Sequence, residues 1–134
     1  MAGRCGRFGG GYGLDGDRAV GAGVGLGFVQ DVVYQNITDD FHGIAISGPK
    51  SRELLLKLTR EDVSSEAFKF RDIRDTFIGG VPALCVRISF TGELGYEIYV
   101  APQYQLKLFE AIEEAGAGLG LKWFGGRALM SMRL

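Results

Sequence analysis

The stretch Ala83 to Val100, ALCVRISFTGELGYEIYV, reads as two β-strands joined at Thr91-Gly92-Glu93, and its reading decides the fold. On the outgoing strand Leu84, Val86, Ile88 and Phe90 alternate with Cys85, Arg87 and Ser89, the period of a half-buried strand. On the return strand Leu94, Tyr96, Ile98 and Val100 alternate with Gly95, Glu97 and Tyr99. A three-residue loop over Thr91-Gly92-Glu93 sets Phe90 opposite Leu94, Ile88 opposite Tyr96 and Arg87 opposite Glu97. The apolar sets then share one face and the charged pair the other. A bulge at Gly92 or Gly95 would shift this register by one.

Two readings of Arg87 and Glu97 stand side by side. One is a cross-strand ion pair contributing roughly 0.2–1 kcal/mol. The other is a ligand contact, in which the Glu97 carboxylate accepts from a flat heterocycle carrying amino and ring N–H donors. A carboxylate offers two acceptor oxygens in one plane for that task. Tyr96 and Tyr99 serve either as core or as stacking surfaces.

Outward from the hairpin, Val29 to Ile37 is rich in β-branched residues and reads as a strand, with Thr38-Asp39-Asp40 as a turn. Phe41 to Ser47 reads as a second strand. Gly48-Pro49 leads into a short helix over Ser51–Leu58 with Leu54, Leu55 and Leu58 inward. Arg71 to Ile78 is a strand with Gly79-Gly80 as the turn behind it. Pro102 opens a helix to Ala115 in which Leu108, Ala111, Ile112 and Ala115 recur at helical spacing, and Gly116 follows as a stop. Phe124, Ala128, Leu129 and Met132 mark one face of a last helix, with no stop signal before Leu134, so the natural protein is expected to continue. The order is ββα-βββ-α, an α+β pattern: a mixed sheet with helices packed on it.

Composition bounds the function classes. The 134 residues suffice for one small domain. Hydrophobic content of 46% and charged content of 23% are those of a globular protein. A net charge of −1 gives no footprint for nucleic acid or a polybasic membrane surface. No apolar run approaches the roughly 20 residues that span a bilayer. The N-terminus has arginines but no apolar core, so it is not a secretory signal. Cys5 and Cys85 are too far apart and too unlike in context for a disulfide framework or a zinc site, and a reducing compartment follows. Eleven of the 22 glycines fall within residues 1–27. Residues 1–28 therefore read as a disordered or non-native leader, and 29–134 as the domain. Gly21 to Gly27 fails the dinucleotide spacing at its last glycine.

Four motifs now carry a resemblance. Arg87–Ile98 (RISFTGELGYEI), Ile44–Leu55 (IAISGPKSRELL), Phe68-Lys69-Phe70 and Gly126–Leu134 (GRALMSMRL) resemble, in order, the glycine-cleavage T-protein family of tetrahydrofolate-binding aminomethyltransferases. Within it the chain is most similar to the folate domains of dimethylglycine and sarcosine dehydrogenases. Those are flavoproteins whose FAD domain oxidises an N-methyl group, after which a T-protein-type domain captures the one-carbon unit on tetrahydrofolate. The resemblance implies a domain of two related α+β repeats that exchange strands. This chain would hold roughly the second repeat, truncated at its C-terminus.

By that resemblance Glu97 stands where the family's pterin-binding glutamate stands. Arg87 would orient its carboxylate, and Tyr96 would line the site. An ungapped comparison puts Leu129 where the glycine-cleavage branch has a folate-contacting arginine, and Arg127, two positions earlier, is the substitute. The family's catalytic aspartate belongs to the first repeat and has no counterpart here, so no catalytic residue is assigned. Tetrahydrofolate is the implied cofactor; FAD would sit only in a parent domain outside this chain. Implied partners are folate, a one-carbon donor, and the missing first repeat or an FAD domain, with self-association through exposed edges. The parent would be an enzyme and this part alone inactive. The implied compartment is cytoplasmic, or the mitochondrial matrix in a eukaryote. The alternatives are the glycine-cleavage aminomethyltransferase itself, or a non-enzymatic folate-binding relative supporting iron–sulfur assembly.

Other chemistry-bearing residues read as structural. His42 is the sole histidine and sits in a strand or turn. Asp39 and Asp40 form the turn, while Glu61-Asp62 and Glu113-Glu114 face solvent. Cys85 is a buried thiol with no activating base beside it. No metal ligands are grouped.

Overall fold

Gly79 and Gly80 set the phase of the sheet. Both take the left-handed conformation, φ 60° and 75°, that a two-residue hairpin turn demands and glycine adopts without steric cost. The turn pairs Ile78 with Val81, joining β4 (Ile73–Ile78) to β5 (Val81–Val86). The computed structural model describes residues 19–20 and 33–133. They fall into two compact units that divide between Asp40 and Phe41.

In the first unit β1 (Ala19–Val20) pairs antiparallel with β2 (Val33–Tyr34). The expected strand over Val29–Ile37 is thus present at Val33–Tyr34, and 29–32 lie outside the described residues. The turn at Thr38–Asp40 is a 3-10 helix, begun by Asn36 Oδ1, which accepts from the Thr38 amide at 3.0 Å and its hydroxyl at 2.7 Å. The leader, apart from Ala19–Val20, and the Gly21–Gly27 stretch lie outside the described residues.

The second unit is the expected α+β arrangement. A four-stranded sheet has the order β3-β6-β5-β4, with β3 at His42–Ser47 and β6 at Gly95–Val100. Each of its pairings is antiparallel. Against one face pack α1 (Ser51–Leu58) and α2 (Gln105–Gly116). Leu54 and Leu55 of α1 and Leu108 and Ile112 of α2 meet Ile46, Ile78, Cys85, Ile98 and Val100 of the sheet in one apolar cluster. Pro102 opens a 3-10 turn, Pro102–Tyr104, that leads into α2. The start of α1 is tied to the start of β6: the Ser51 hydroxyl donates to the Leu94 carbonyl at 2.9 Å, and the Gly48 amide to the same oxygen at 2.8 Å. α3 (Gly126–Met132) buries none of its residues, and Leu129 alone of its expected apolar face is half-buried.

The hairpin differs from its reading in register and in phase. β5 ends at Val86, and the connection runs from Arg87 to Leu94. Leu84 pairs with Tyr99, Cys85 with Ile98 and Val86 with Glu97, one residue away from the expected alignment. The inward set on β5 is therefore Val81, Ala83 and Cys85, while Ile88 and Phe90 are exposed. Both alternating sets of β5 are apolar, so hydrophobicity alone does not choose between them. The tight turn at Gly79-Gly80 chooses, because Ile78 and Val81 must share the helix-facing side and parity carries that side to Cys85. The strand is then released at a bulge, where Arg71 and Asp72 both oppose Arg87: the Arg87 amide donates to the Asp72 carbonyl at 3.0 Å and its carbonyl accepts from Arg71 at 2.8 Å. Arg71 takes φ 72° there.

Candidate ligand site

Glu97 stands at the middle of β6 on the sheet face turned away from α1 and α2. Ala45 and Val86 are its neighbours on the two flanking strands. Two residues along, on the same face, Tyr99 donates its hydroxyl to Glu97 Oε2 at 2.5 Å. Burial, reinforced by the hydrogen bond to Glu97 and its charge, pushes the Tyr99 phenol up to about 12. The Tyr99 ring lies over Gly43, where a Cβ would come within 3.0 Å of Cε1 and 3.2 Å of Cδ1. The absence of a side chain at residue 43 is thus a condition for the position of that ring.

The Arg87–Leu94 connection is held against the end of the sheet. A Cβ on Gly95 would lie 2.9 Å from the Ile88 carbonyl oxygen and 3.2 Å from that of Ile46, so only glycine lets this backbone pass. The hydroxyls of Ser47 and Thr91 are 2.7 Å apart and close the same corner. Just past the end of α3, the Arg133 guanidinium sits 4.2 Å from the centroid of Phe90.

The structure separates the four residues that the sequence grouped. Tyr96 is 1% exposed on the helix-facing side, opposite to Glu97, with its ring stacked on Phe68 at 5.8 Å between centroids. Its hydroxyl accepts from Arg52 Nε at 3.3 Å. Arg87 stands beyond the end of β5, where its guanidinium donates to the Phe68 carbonyl; Val86 takes the position opposite Glu97. That is a correction to the expected Arg87–Glu97 pairing, and its cause is the one-residue shift of register. Arg127 is exposed in the first turn of α3, and no hydrogen bond or ion pair joins it to Glu97 among the described residues. Tyr99 is the partner that the sequence reading had not assigned. Its signal was legible: residues two apart on a strand share a face.

The neighbours of Glu97 open onto two clefts. Ala45 lines one of about 640 Å³ beside the outer edge of β3, together with Ser47, Lys50, Lys122, Trp123 and Phe124. Tyr99 lines another of about 520 Å³ with Phe77, Pro82, Leu84 and Tyr104. Elsewhere, His42 Nδ1 is hydrogen-bonded to Gln105 Oε1, and Glu113 accepts from Trp123 Nε1 at 3.0 Å. Cys85 is 2% exposed, and burial pushes its thiol up to about 12. Among the described residues no group of three His, Cys, Asp or Glu side chains is placed to hold a metal ion, and no helix is long and apolar enough to cross a membrane.

The GCVT N-terminal domain family matches residues 23–134. Mitochondrial dimethylglycine dehydrogenase of Mus musculus is 44% identical over 104 residues, which cover 78% of this chain and 12% of the relative. An aminomethyltransferase of Thermoanaerobacter sp. (strain X514) is 41% identical over 106 residues, 78% of this chain and 28% of the relative. The chain therefore spans less than a third of the length of either. Among solved structures, a chain of the heterotetrameric sarcosine oxidase from Corynebacterium sp. U-96 superposes with a TM-score of 0.59 at 18% identity, over 75% of this chain and 49% of that one, which shows a shared fold. Taken with the sheet order and the four motifs, these matches make the chain a member of the GCVT N-terminal domain family, related to dimethylglycine dehydrogenases and aminomethyltransferases.

Proposed function

We propose that this chain is the tetrahydrofolate-binding portion of a one-carbon transfer enzyme of the dimethylglycine/sarcosine dehydrogenase type, with Glu97 as the contact to the pterin. The observation that carries the reading is the Glu97 carboxylate, oriented by Tyr99 on the sheet face away from the core. A pterin ring presents an amino group beside a ring N–H, and a carboxylate accepts from both in one plane. Ala45, small, apolar and exposed on one side of Glu97, suits a flat ring face, while Val86 on the other side is buried. When bound, tetrahydrofolate supplies the nitrogens that accept the one-carbon unit. The residues of this chain hold and orient it, and the acid–base group for transfer comes from outside the chain.

In this reading an FAD domain of the parent protein generates the one-carbon unit, and residues 29–134 are one repeat of the folate domain. A eukaryotic parent would work in the mitochondrial matrix, a reading supported by dimethylglycine dehydrogenases of Mus musculus and Homo sapiens that are named as mitochondrial. A second reading, the aminomethyltransferase itself, is supported by relatives of that name at 41% identity. It differs in the donor, an aminomethyl group on a carrier in place of an N-methyl amine.

Titration of tetrahydrofolate into the isotope-labelled chain under anaerobic conditions, followed by residue-resolved NMR, tests the proposal even at millimolar affinity. Shifts are expected at Ala45, Val86, Glu97 and Tyr99, and Glu97→Gln should weaken binding about tenfold or more. No perturbation at these residues, or an unchanged affinity in Glu97→Gln, overturns the reading.

A further inference from the structure

We propose that Tyr99 is a positioning residue of this site: its hydroxyl holds one oxygen of Glu97 so that the carboxylate plane is set before a ligand with paired N–H donors arrives. The inference rests on the folate reading of Glu97. The terminal torsion of a glutamate is broad, so an unrestrained carboxylate samples many planes. Here the Tyr99 hydroxyl, 2.5 Å from Oε2, removes that freedom. A carboxylate has about four lone-pair sites, and Tyr99 fills one, leaving acceptors on both oxygens.

Gly43 is the third member of the arrangement. The Tyr99 ring reaches Glu97 by lying across the strand at residue 43, and a Cβ there would stand 3.0 Å from Cε1. Gly43 and Tyr99 are direct partners in the β3–β6 register, and Ala45 and Glu97 are the next such pair on the same face. A small residue at 43 thus sets the ring, the ring sets the hydroxyl, and the hydroxyl sets the carboxylate. Preorganisation of this kind lowers the ordering cost at binding.

The test is a cycle of tetrahydrofolate affinities, read by NMR, for the chain and for Tyr99→Phe, Glu97→Gln, the double variant of these two, Gly43→Ala, and Gly43→Ala combined with Tyr99→Phe. Tyr99→Phe keeps the ring and should weaken binding about tenfold. The double variant should bind no more weakly than Glu97→Gln alone, and Gly43→Ala should weaken binding in the original chain but not on top of Tyr99→Phe. Wild-type affinity in Tyr99→Phe, or losses that add in full with Glu97→Gln, overturn the positioning role and leave that of Glu97 standing. Failure of the folate reading looks different, since tetrahydrofolate then perturbs neither the original chain nor Glu97→Gln, and the positioning role falls with it. A ligand-free readout is the Tyr99 phenol titrated by its Cζ resonance. It should move down toward the ordinary tyrosine value in Glu97→Gln, and an unmoved titration overturns the proposal.

Discussion

Cys85 and Glu97 lie on adjacent strands and face opposite ways, and the difference governs what each can do. Cys85 points into the apolar cluster, 2% exposed, and burial raises its thiol to about 12 because the thiolate loses its hydration there. The raised value keeps the group protonated at every pH below it, so the nucleophilic form is absent under ordinary conditions. In a Cys5→Ser background, a thiol reagent at pH 8 should leave Cys85 unmodified in the native chain and label it on unfolding in urea; rapid native labelling would contradict the buried placement. Glu97 faces away from the core, on the same side of β6 as Tyr99, whose hydroxyl donates to it. That its donor is Tyr99 and not Arg87 depends on a single step of register.

At the scale of elements, helix and strand positions followed from local pattern. α1 and β3 stand where Gly48-Pro49 and the FHGIAIS run placed them, and α2 follows from its helical spacing. The Arg87–Leu94 connection did not, because its Ile88 and Phe90 continue the alternation of β5 although the strand has already ended at a bulge. Gly95 explains why the connection lies where it does. Gly95→Ala would press a methyl group against two backbone carbonyl oxygens, at 2.9 and 3.2 Å, that cannot rotate away. It should destabilise the chain by about 1–3 kcal/mol in urea unfolding. Gly118→Ala, at a position with open space around it, should stay within about 0.5 kcal/mol of the parent. Equal effects at the two glycines would contradict the packing described for the connection.

Across the second unit, stability resides in the layer between the sheet and its two packed helices. Leu55 is 0% exposed there, and Leu55→Ala should cost about 2–5 kcal/mol, by lost transfer energy and by the cavity left behind. Met130 on α3 is 62% exposed, and Met130→Ser should change stability by less than about 0.5 kcal/mol. A comparable loss at both positions, measured by thermal unfolding, would show that α3 belongs to the core. The amino-acid sequence by itself determined the α+β class and the order of elements, and its motifs pointed to the family, whose resemblance singled out Glu97. Those rest on short-range periodicity, turn chemistry and motif order, which are local. Tertiary structure alone decided which face of β5 turns inward, that Tyr96 is core and Arg87 caps the Phe68 carbonyl, and that Tyr99 over Gly43 holds the carboxylate. Strand parity is propagated from a distant turn, and β5 is apolar on both sides, so nothing within Ala83–Val100 could have fixed it.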